Sequence, residues 1–336
     1  MDIFINNLEK LQRLKTIVNN KDAQYFTCHQ LNRRENNEDI LSIVMTAHNR
    51  SKQVYFTLKT IENSSNKNIQ VIIVDDSTDD HVDINKLADF SLWITVIIIN
   101  NKNKFWVNPC VNYNIGFSFI EGSHVIIQNS EVCHVGDVCS FVKNTISEMD
   151  NKYLVFDVRA VENFEGNEMI YNSFYDDDTL QFALHRLKIY RKNVPDGWYQ
   201  HSVISPKSYH FLSAISKKNL DNIGGFSFDY FLAGSFDDDD LVLKIKNNGI
   251  KIVNINNQLQ KVAGIHLFHR TSHESWENPF LSENLNGVIF QKKVKYVEQG
   301  LYIEISDIVN TLKNKNTIIK FVRSFFSETS ISEYIH

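Results

Sequence analysis

Apolar positions along this chain follow two rhythms. Phe4, Leu8, Leu11, Leu14 and Val18 recur at helical spacing, so residues 1–38 are expected to carry an amphipathic helix that docks on the main body or on a partner. From residue 41 the pattern changes to short β-branched runs, at 41–45, 69–74, 94–99, 124–128 and 153–158, separated by stretches of helical period. Nearly continuous runs suit strands buried on both faces, and their alternation with helices is the order that builds a mostly parallel sheet. Residues 52–63 read as a crossover helix between the first two runs, which makes 41–74 a βαβ unit.

The second half is less regular. Polar loops surround a run at 210–216, the segment Gly224-Gly225-Phe226, an acidic cluster and a strand-like 249–255. The end of the chain places Ile305, Ile308, Val309, Leu312, Ile318, Ile319, Phe321, Val322 and Phe325 at helical spacing. The expected organisation is an amino-terminal helical segment (1–38), a nucleotide-binding half (39–158), an acceptor-binding and catalytic half (159–290) and a helical tail (291–336). The fold class this implies is α/β, with a central sheet flanked by helices.

Composition narrows the function. A chain of 336 residues, 43% hydrophobic and 12% aromatic, buries a substantial core. Its net charge of -5 exerts no global pull on nucleic acid or anionic membrane, so any phosphate must be held by local cations. Cys28, Cys110, Cys133 and Cys139 show neither a CxxC pair nor zinc spacing, and read as buried free thiols in a reducing compartment. No signal-peptide pattern and no apolar run of about 18 residues is present, so a cytoplasmic address is expected.

Chemistry concentrates where strands end. The first run breaks into Thr46-Ala47-His48-Asn49-Arg50 and the second into Asp75-Asp76-Ser77-Thr78-Asp79. In open α/β sheets ligands bind beyond the carboxyl ends of the strands. Thr46, His48, Arg50, Asp75 and Asp76 are therefore nucleotide candidates: a carboxylate can accept the imide N–H of uracil, and Arg50 can neutralise phosphate. Asp-Asp-Ser is also an ordinary helix-capping turn. A later strand ends in Asn129-Ser130-Glu131, where Asn129 and Glu131, two apart in extended chain, can converge on one hard cation; a turn with a solvated Glu is the plainer alternative. In Phe236-Asp237-Asp238-Asp239-Asp240-Leu241 the carboxylates fill the first turn of a helix, either as solvated caps or as a crowded group in which one member becomes a proton acceptor. His266 or His269, some 25 residues on, can complete a metal site begun by Glu131. Trp106, Trp198, His201, Tyr209 and Trp276 are candidates for stacking on sugar rings or for core packing, whereas Asp221 and Asp176-Asp177-Asp178 read as solvated surface.

Residues 41–50 and 69–79, Asn112-Tyr113-Asn114-Ile115-Gly116, residues 126–131, and Gly224-Gly225-Phe226 running to Asp240-Leu241 together resemble the successive motifs of GT-A fold, family 2-like glycosyltransferases, across roughly residues 40–280. The resemblance implies a Rossmann-like, mostly parallel sheet and transfer from a nucleotide sugar, a UDP-sugar, to the hydroxyl of a glycan, protein or small-molecule acceptor. Residues 235–240 also resemble the Gly-Gly-Glu-Asp-Asp-Asp segment of β-1,4-galactosyltransferases, with Ser235 and Phe236 in place of its glycines. By that resemblance Asp238 is the catalytic base and Asp237 stands at the usual Glu; Thr46, Asp75, Asp76 and Asn114 hold the nucleoside. Asn129 and Glu131 then fall at the Asp-x-Asp metal motif, with His266 or His269 as the carboxyl-proximal metal ligand and Mn²⁺ or Mg²⁺ as cofactor. Asn129 supplies no charge, which weakens the expected hold on a cation. Alternatives that remain are a non-catalytic nucleotide-sugar or glycan-binding module, a retaining transferase on the same fold, and a nucleotidyltransferase, although no Gly-rich loop follows the first strand.

Overall fold

The structure, a computed structural model, describes residues 1–34, 40–145, 151–173, 197–270, 281–327 and 334. Twelve strands lie among them: β1 (Phe26–Leu31), β2 (Leu41–Ala47), β3 (Ile69–Asp75), β4 (Trp93–Ile99), β5 (His124–Asn129), β6 (Val132–Val135), β7 (Lys152–Phe156), β8 (Val158–Ala160), β9 (Trp198–Gln200), β10 (Leu212–Ser216), β11 (Lys251–Ile255) and β12 (Ala263–His266). Eight form the main sheet in the order β1-β4-β3-β2-β5-β10-β7-β11. Four of its seven pairings are parallel, including the whole central run from β4 to β5; β1 is antiparallel to β4, and β10 is antiparallel to both neighbours.

The continuous apolar runs have a direct cause. In β3, Val71 and Ile73 enter one apolar cluster while Ile72 and Val74 enter the cluster on the other face, so the run 71–74 leaves no position for a polar residue. The amino-terminal periodicity folds as two helices, Asp2–Asn6 and Leu8–Asn19. They pack into the same cluster as the carboxyl-terminal helices Ile305–Thr311 and Lys315–Ser327. Gln12 donates to the Val309 carbonyl at 3.1 Å across this contact. The expectation of a purely helical segment over 1–38 missed β1, an edge strand whose burial pattern, one inward residue followed by four exposed ones, carries no strand periodicity. Cys28 lies on that strand and is exposed, so the reading of four buried thiols holds for Cys110, Cys133 and Cys139 only.

Sequence periodicity also gave no sign of the second sheet, β6-β12-β8-β9. Its strands have three or four residues, too few to display a period. It matters because β5 leaves the main sheet at Asn129 and enters the second at Val132, so the turn Ser130-Glu131 lies where the two sheets meet. The antiparallel register of β6 with β12 sets His266 opposite Val132, beside that turn. No helix among the described residues is long and apolar enough to cross a membrane.

Candidate functional site

Parallel register brings the strand ends together: Ala47 pairs with Asp75, and Thr46 with Asn129. At this rim the two adjacent aspartates do different things. Asp75 accepts from the Ser77 and Val82 amides, each at 2.9 Å, with His81 Nδ1 3.3 Å away. It is fully buried and ties down the 75–82 loop, so the structure turns it away from a ligand. Asp76 accepts from Lys104 Nζ (2.5 Å) and Asn112 Nδ2 (2.7 Å) and pairs with His48 Nδ1 (3.0 Å). Burial alone would raise the Asp76 pKa, but His48 and Lys104 hold it well below the usual carboxylate range. The bond to Asp76 in turn raises the pKa of His48.

Glu131 is the second centre. Its Oε1 lies 2.6 Å from Arg50 Nη1 and 3.2 Å from both His266 Nε2 and His269 Nε2, and its Oε2 accepts from the Ser130 hydroxyl at 3.0 Å. Burial opposes ionisation, yet the Arg50 charge and the two imidazoles hold Glu131 well below the usual carboxylate range. The His266 pKa is lowered by burial. His269 Nδ1 lies 3.0 Å from the Arg270 carbonyl, which fixes the ring with Nε2 toward Glu131.

This donor set fits a divalent cation. The three ligand atoms lie within 4.8 Å of one another. Metal bonds of about 2.1 Å meeting at tetrahedral to octahedral angles place neighbouring donors about 3.0–3.4 Å apart, and the observed carboxylate–imidazole separations of 3.2 Å fall in that range. Asn129 Oδ1 accepts from the Tyr113 hydroxyl at 3.4 Å.

The acidic cluster caps the helix Asp237–Asn247, and each carboxylate has its own environment. Asp237 is buried and accepts from Asn108 Nδ2 at 3.2 Å; burial, with the Asp238 charge beside it, pushes its pKa up to about 6. Asp238 keeps a quarter of its side chain exposed and pairs through Oδ1 with Nδ1 of buried His210. Asp239 accepts from the Tyr209 hydroxyl at 2.6 Å. Asp240 is fully buried, accepts from Tyr302 at 2.8 Å and faces Lys293 at 3.4 Å. Solvated capping therefore describes none of the four.

Tyr113 senses both Glu131 and the acidic helix. Its hydroxyl donates to the Gln128 carbonyl at 2.9 Å. Burial raises its pKa, and Glu131, Asp238 and Asp237 are all near enough to raise it further, while Thr46 bonds the same hydroxyl. Partly exposed Tyr199, Phe211 and Tyr209 form a chain of ring contacts at 5.5 and 5.9 Å. One end of it touches His266, 4.4 Å from the Tyr199 ring, and the other reaches Asp239.

Other expected residues lie elsewhere. Asn114 is not at the nucleotide rim: its amide bonds both backbone groups of Phe226, at 2.7 and 2.9 Å, and locks the Gly225-Phe226 backbone. Trp198, in β9, and His201, just beyond its end, are buried ring against ring at 4.6 Å, with the Arg159 guanidinium over Trp198. Strand alternation explains the displacement, because it turns Trp198 inward and its neighbour Tyr199 toward the site. Trp106 is buried and donates to Asn112 at 2.8 Å. Asp221 is exposed and pairs with Lys217. Trp276 and residues 176–178 lie outside the described residues. Sequence reasoning missed Lys104, His210 and Tyr113 as site residues; the position of His210 two residues ahead of a buried strand was the one available signal.

Residues 42–210, half of the chain, match the family model for glycosyl transferase family 2. Among solved structures, S. aureus TarS 1–349 is similar over 88% of this chain and 76% of its own, at 14% identity and a TM-score of 0.51. The same protein in complex with UDP-GlcNAc gives 16% identity and a TM-score of 0.54, covering 88% of this chain and 77% of its own. Its UDP complex gives 15% and 0.52, covering 88% and 76%. Likeness at this identity establishes the fold, GT-A. No curated protein matches by sequence.

Proposed function

Because the chain belongs to glycosyl transferase family 2, we propose that this glycosyltransferase moves a sugar from a UDP-sugar to an acceptor hydroxyl in one inverting displacement. The observation that carries the proposal is the convergence of Arg50, His266 and His269 on Glu131, together with a partly exposed Asp238 paired with His210, a ring that also senses the Glu131 charge. Similarity to the TarS complexes with UDP and UDP-GlcNAc supports the choice of a uridine donor.

The residues divide the work by charge. Asp76, ionised and bonded to His48 and Lys104, and the hydroxyl of Thr46 present the rim to the nucleoside. Arg50 has only 16% of its side chain exposed and is fixed by the His48 carbonyl at 3.0 Å, so its guanidinium is preorganised for diphosphate. Glu131, His266 and His269 would hold Mn²⁺ or Mg²⁺, with Asn129 at its margin. A divalent ion there supplies charge neutralisation for the leaving diphosphate. Asp238 takes the acceptor's hydroxyl proton as that oxygen bonds to the anomeric carbon, and the bond to the diphosphate breaks with its electron pair leaving on the nucleotide. Asp237, bonded to Asn108, holds the first turn in place beside it. Tyr199, Phe211 and Tyr209 offer aromatic faces to sugar rings between the cation site and the base. A cytoplasmic setting agrees with the free thiols.

The test is UDP release from a panel of UDP-sugars with Mn²⁺. Asp238→Asn should lower turnover by about 10²–10⁴-fold and leave UDP affinity unchanged; undiminished turnover would remove Asp238 as base. Proton NMR of the product should show an inverted anomeric centre.

A further inference from the structure

His210 is buried, and its orientation is determined from three sides. Its ring meets Tyr113 edge-on at 4.6 Å and Phe226 edge-on at 5.0 Å. Both neighbours are themselves fixed, Tyr113 by the Gln128 carbonyl and Phe226 by the Asn114 amide. The third contact is Nδ1 on Asp238 Oδ1. An imidazole confined in this way directs one N–H at one oxygen of the carboxylate, whose side chain keeps a quarter of its surface exposed.

The neighbourhood explains why such a partner is needed. Asp237 and Asp238 are adjacent carboxylates in one helical turn, and like charges this close favour retention of a proton by one of them. The charged groups facing His210 are Asp238 and Asp237 from the acidic helix and, farther off, Glu131 from the β5–β6 turn. The helix Cys110–Phe117 presents Tyr113, and the loop at Phe226 presents no charge. All three charged groups are acidic and raise the His210 pKa against its burial, so the ring carries a proton more readily than a free histidine.

We infer that His210 is the positioning residue of the transfer reaction: its Nδ1–H holds Asp238 in a single orientation, with the free oxygen turned to the acceptor hydroxyl. The inference rests on the reading of Asp238 as the base. During transfer the acceptor's proton passes to the free oxygen of Asp238, the new C–O bond forms as the C–O bond to the diphosphate breaks, and His210 keeps its own proton throughout. Its hydrogen bond steadies Asp238 before and after the proton arrives.

Two variants separate this role from simple packing. His210→Phe keeps a ring between Tyr113 and Phe226 but removes the donor; His210→Asn keeps a donor near the Nδ1 position but cannot carry charge. For each, UDP release from the UDP-sugar that the wild type turns over is measured across pH with Mn²⁺, together with UDP affinity. His210→Phe should lose about 100-fold in kcat with donor KM and UDP affinity unchanged, and its acidic limb should move up by about one pH unit or more. His210→Asn should recover much of kcat while its acidic limb stays displaced. Wild-type kcat and an unmoved acidic limb in His210→Phe, with Asp238→Asn inactive, would overturn the role of His210 and leave the base assignment standing. If Asp238→Asn is active, the base assignment itself falls. Should His210→Phe fail to bind UDP, the acidic limb of His210→Asn decides alone: displaced, it supports the role; unmoved, it overturns it.

Discussion

Ser235 and Phe236 are consecutive non-glycine residues in the left-handed region, at φ 69° and 68°, immediately before the acidic helix. Each such residue costs about 1 kcal/mol or more relative to glycine. The β-1,4-galactosyltransferase segment that this stretch resembles has glycines at both positions, so the chain keeps the backbone shape without the residues that make it easy. Surrounding contacts enforce it. The Phe236 ring lies against Gly287, where an added Cβ would come within 3.2 Å of it, and packs on Phe290 at 5.8 Å. Ser235→Gly should therefore stabilise the protein by about 1 kcal/mol, seen as a higher urea midpoint with unchanged slope. A lower midpoint would show that the conformation is not strained.

Asn286 supplies the clamp on that loop. Its buried amide nitrogen lies within hydrogen-bond distance of four carbonyls: Ala233 (2.8 Å), Gly234 (3.0 Å), Tyr230 and Ser235 (both 3.3 Å). Asn286→Ala should cost about 1–3 kcal/mol through unsatisfied buried carbonyls. It should also reduce kcat, because the loop leads directly into Asp237 and Asp238. Denaturation and UDP-release assays on one preparation would reveal whether the two losses occur together.

Lys293 should prove less tolerant. It is fully buried, with Asp229 at 2.9 Å and Asp240 at 3.4 Å, and the charge of Asp229 holds its pKa well above the usual lysine value. Lys293→Met would leave two buried carboxylates without their cation, for an expected loss of about 3–5 kcal/mol. A loss below about 1 kcal/mol, within the range of exposed ion pairs, would contradict the network.

His134 gives the pH dependence a definite sign. Burial pushes its pKa down to about 4 from 6.5, and its Nε2 pairs with Gln128 Oε1 at 2.8 Å. A depressed histidine favours the folded state above pH 6.5 and loses that contribution as pH falls toward 4, where the unfolded chain binds the extra proton. The lost stability is about 3 kcal/mol. Asp237, raised to about 6, acts in the opposite direction, since its ionisation as pH rises destabilises the fold. Comparison with His134→Gln isolates the histidine: the stability of wild type relative to the variant should decline between pH 6.5 and 4, and parallel curves would contradict the assignment.

The parts of this molecule that were legible in the sequence are those where one physical demand dominates. β2 to β5 are buried on both faces, so their runs announced themselves, and with them the strand ends where Thr46, Arg50 and Asp76 lie. The Glu131–His266–His269 cluster was half legible, since the residue types suited a metal while the joining register of β6 and β12 lay in strands too short to read. Nothing local distinguished Asp75 from Asp76, because their roles differ only in what Val82 and Lys104 bring from farther along the chain. For the same reason the alternation that buries Trp198 and turns Tyr199 toward the site needed the strand itself.

The most direct test of a cation-assisted uridine-diphosphate site is calorimetric titration of the protein with UDP, with and without Mn²⁺, in wild type and Glu131→Ala. Affinity should strengthen with Mn²⁺ in the wild type, and that gain should vanish in Glu131→Ala. UDP binding indifferent to Mn²⁺, or a gain that survives the loss of Glu131, would contradict the site built on Glu131, His266 and His269.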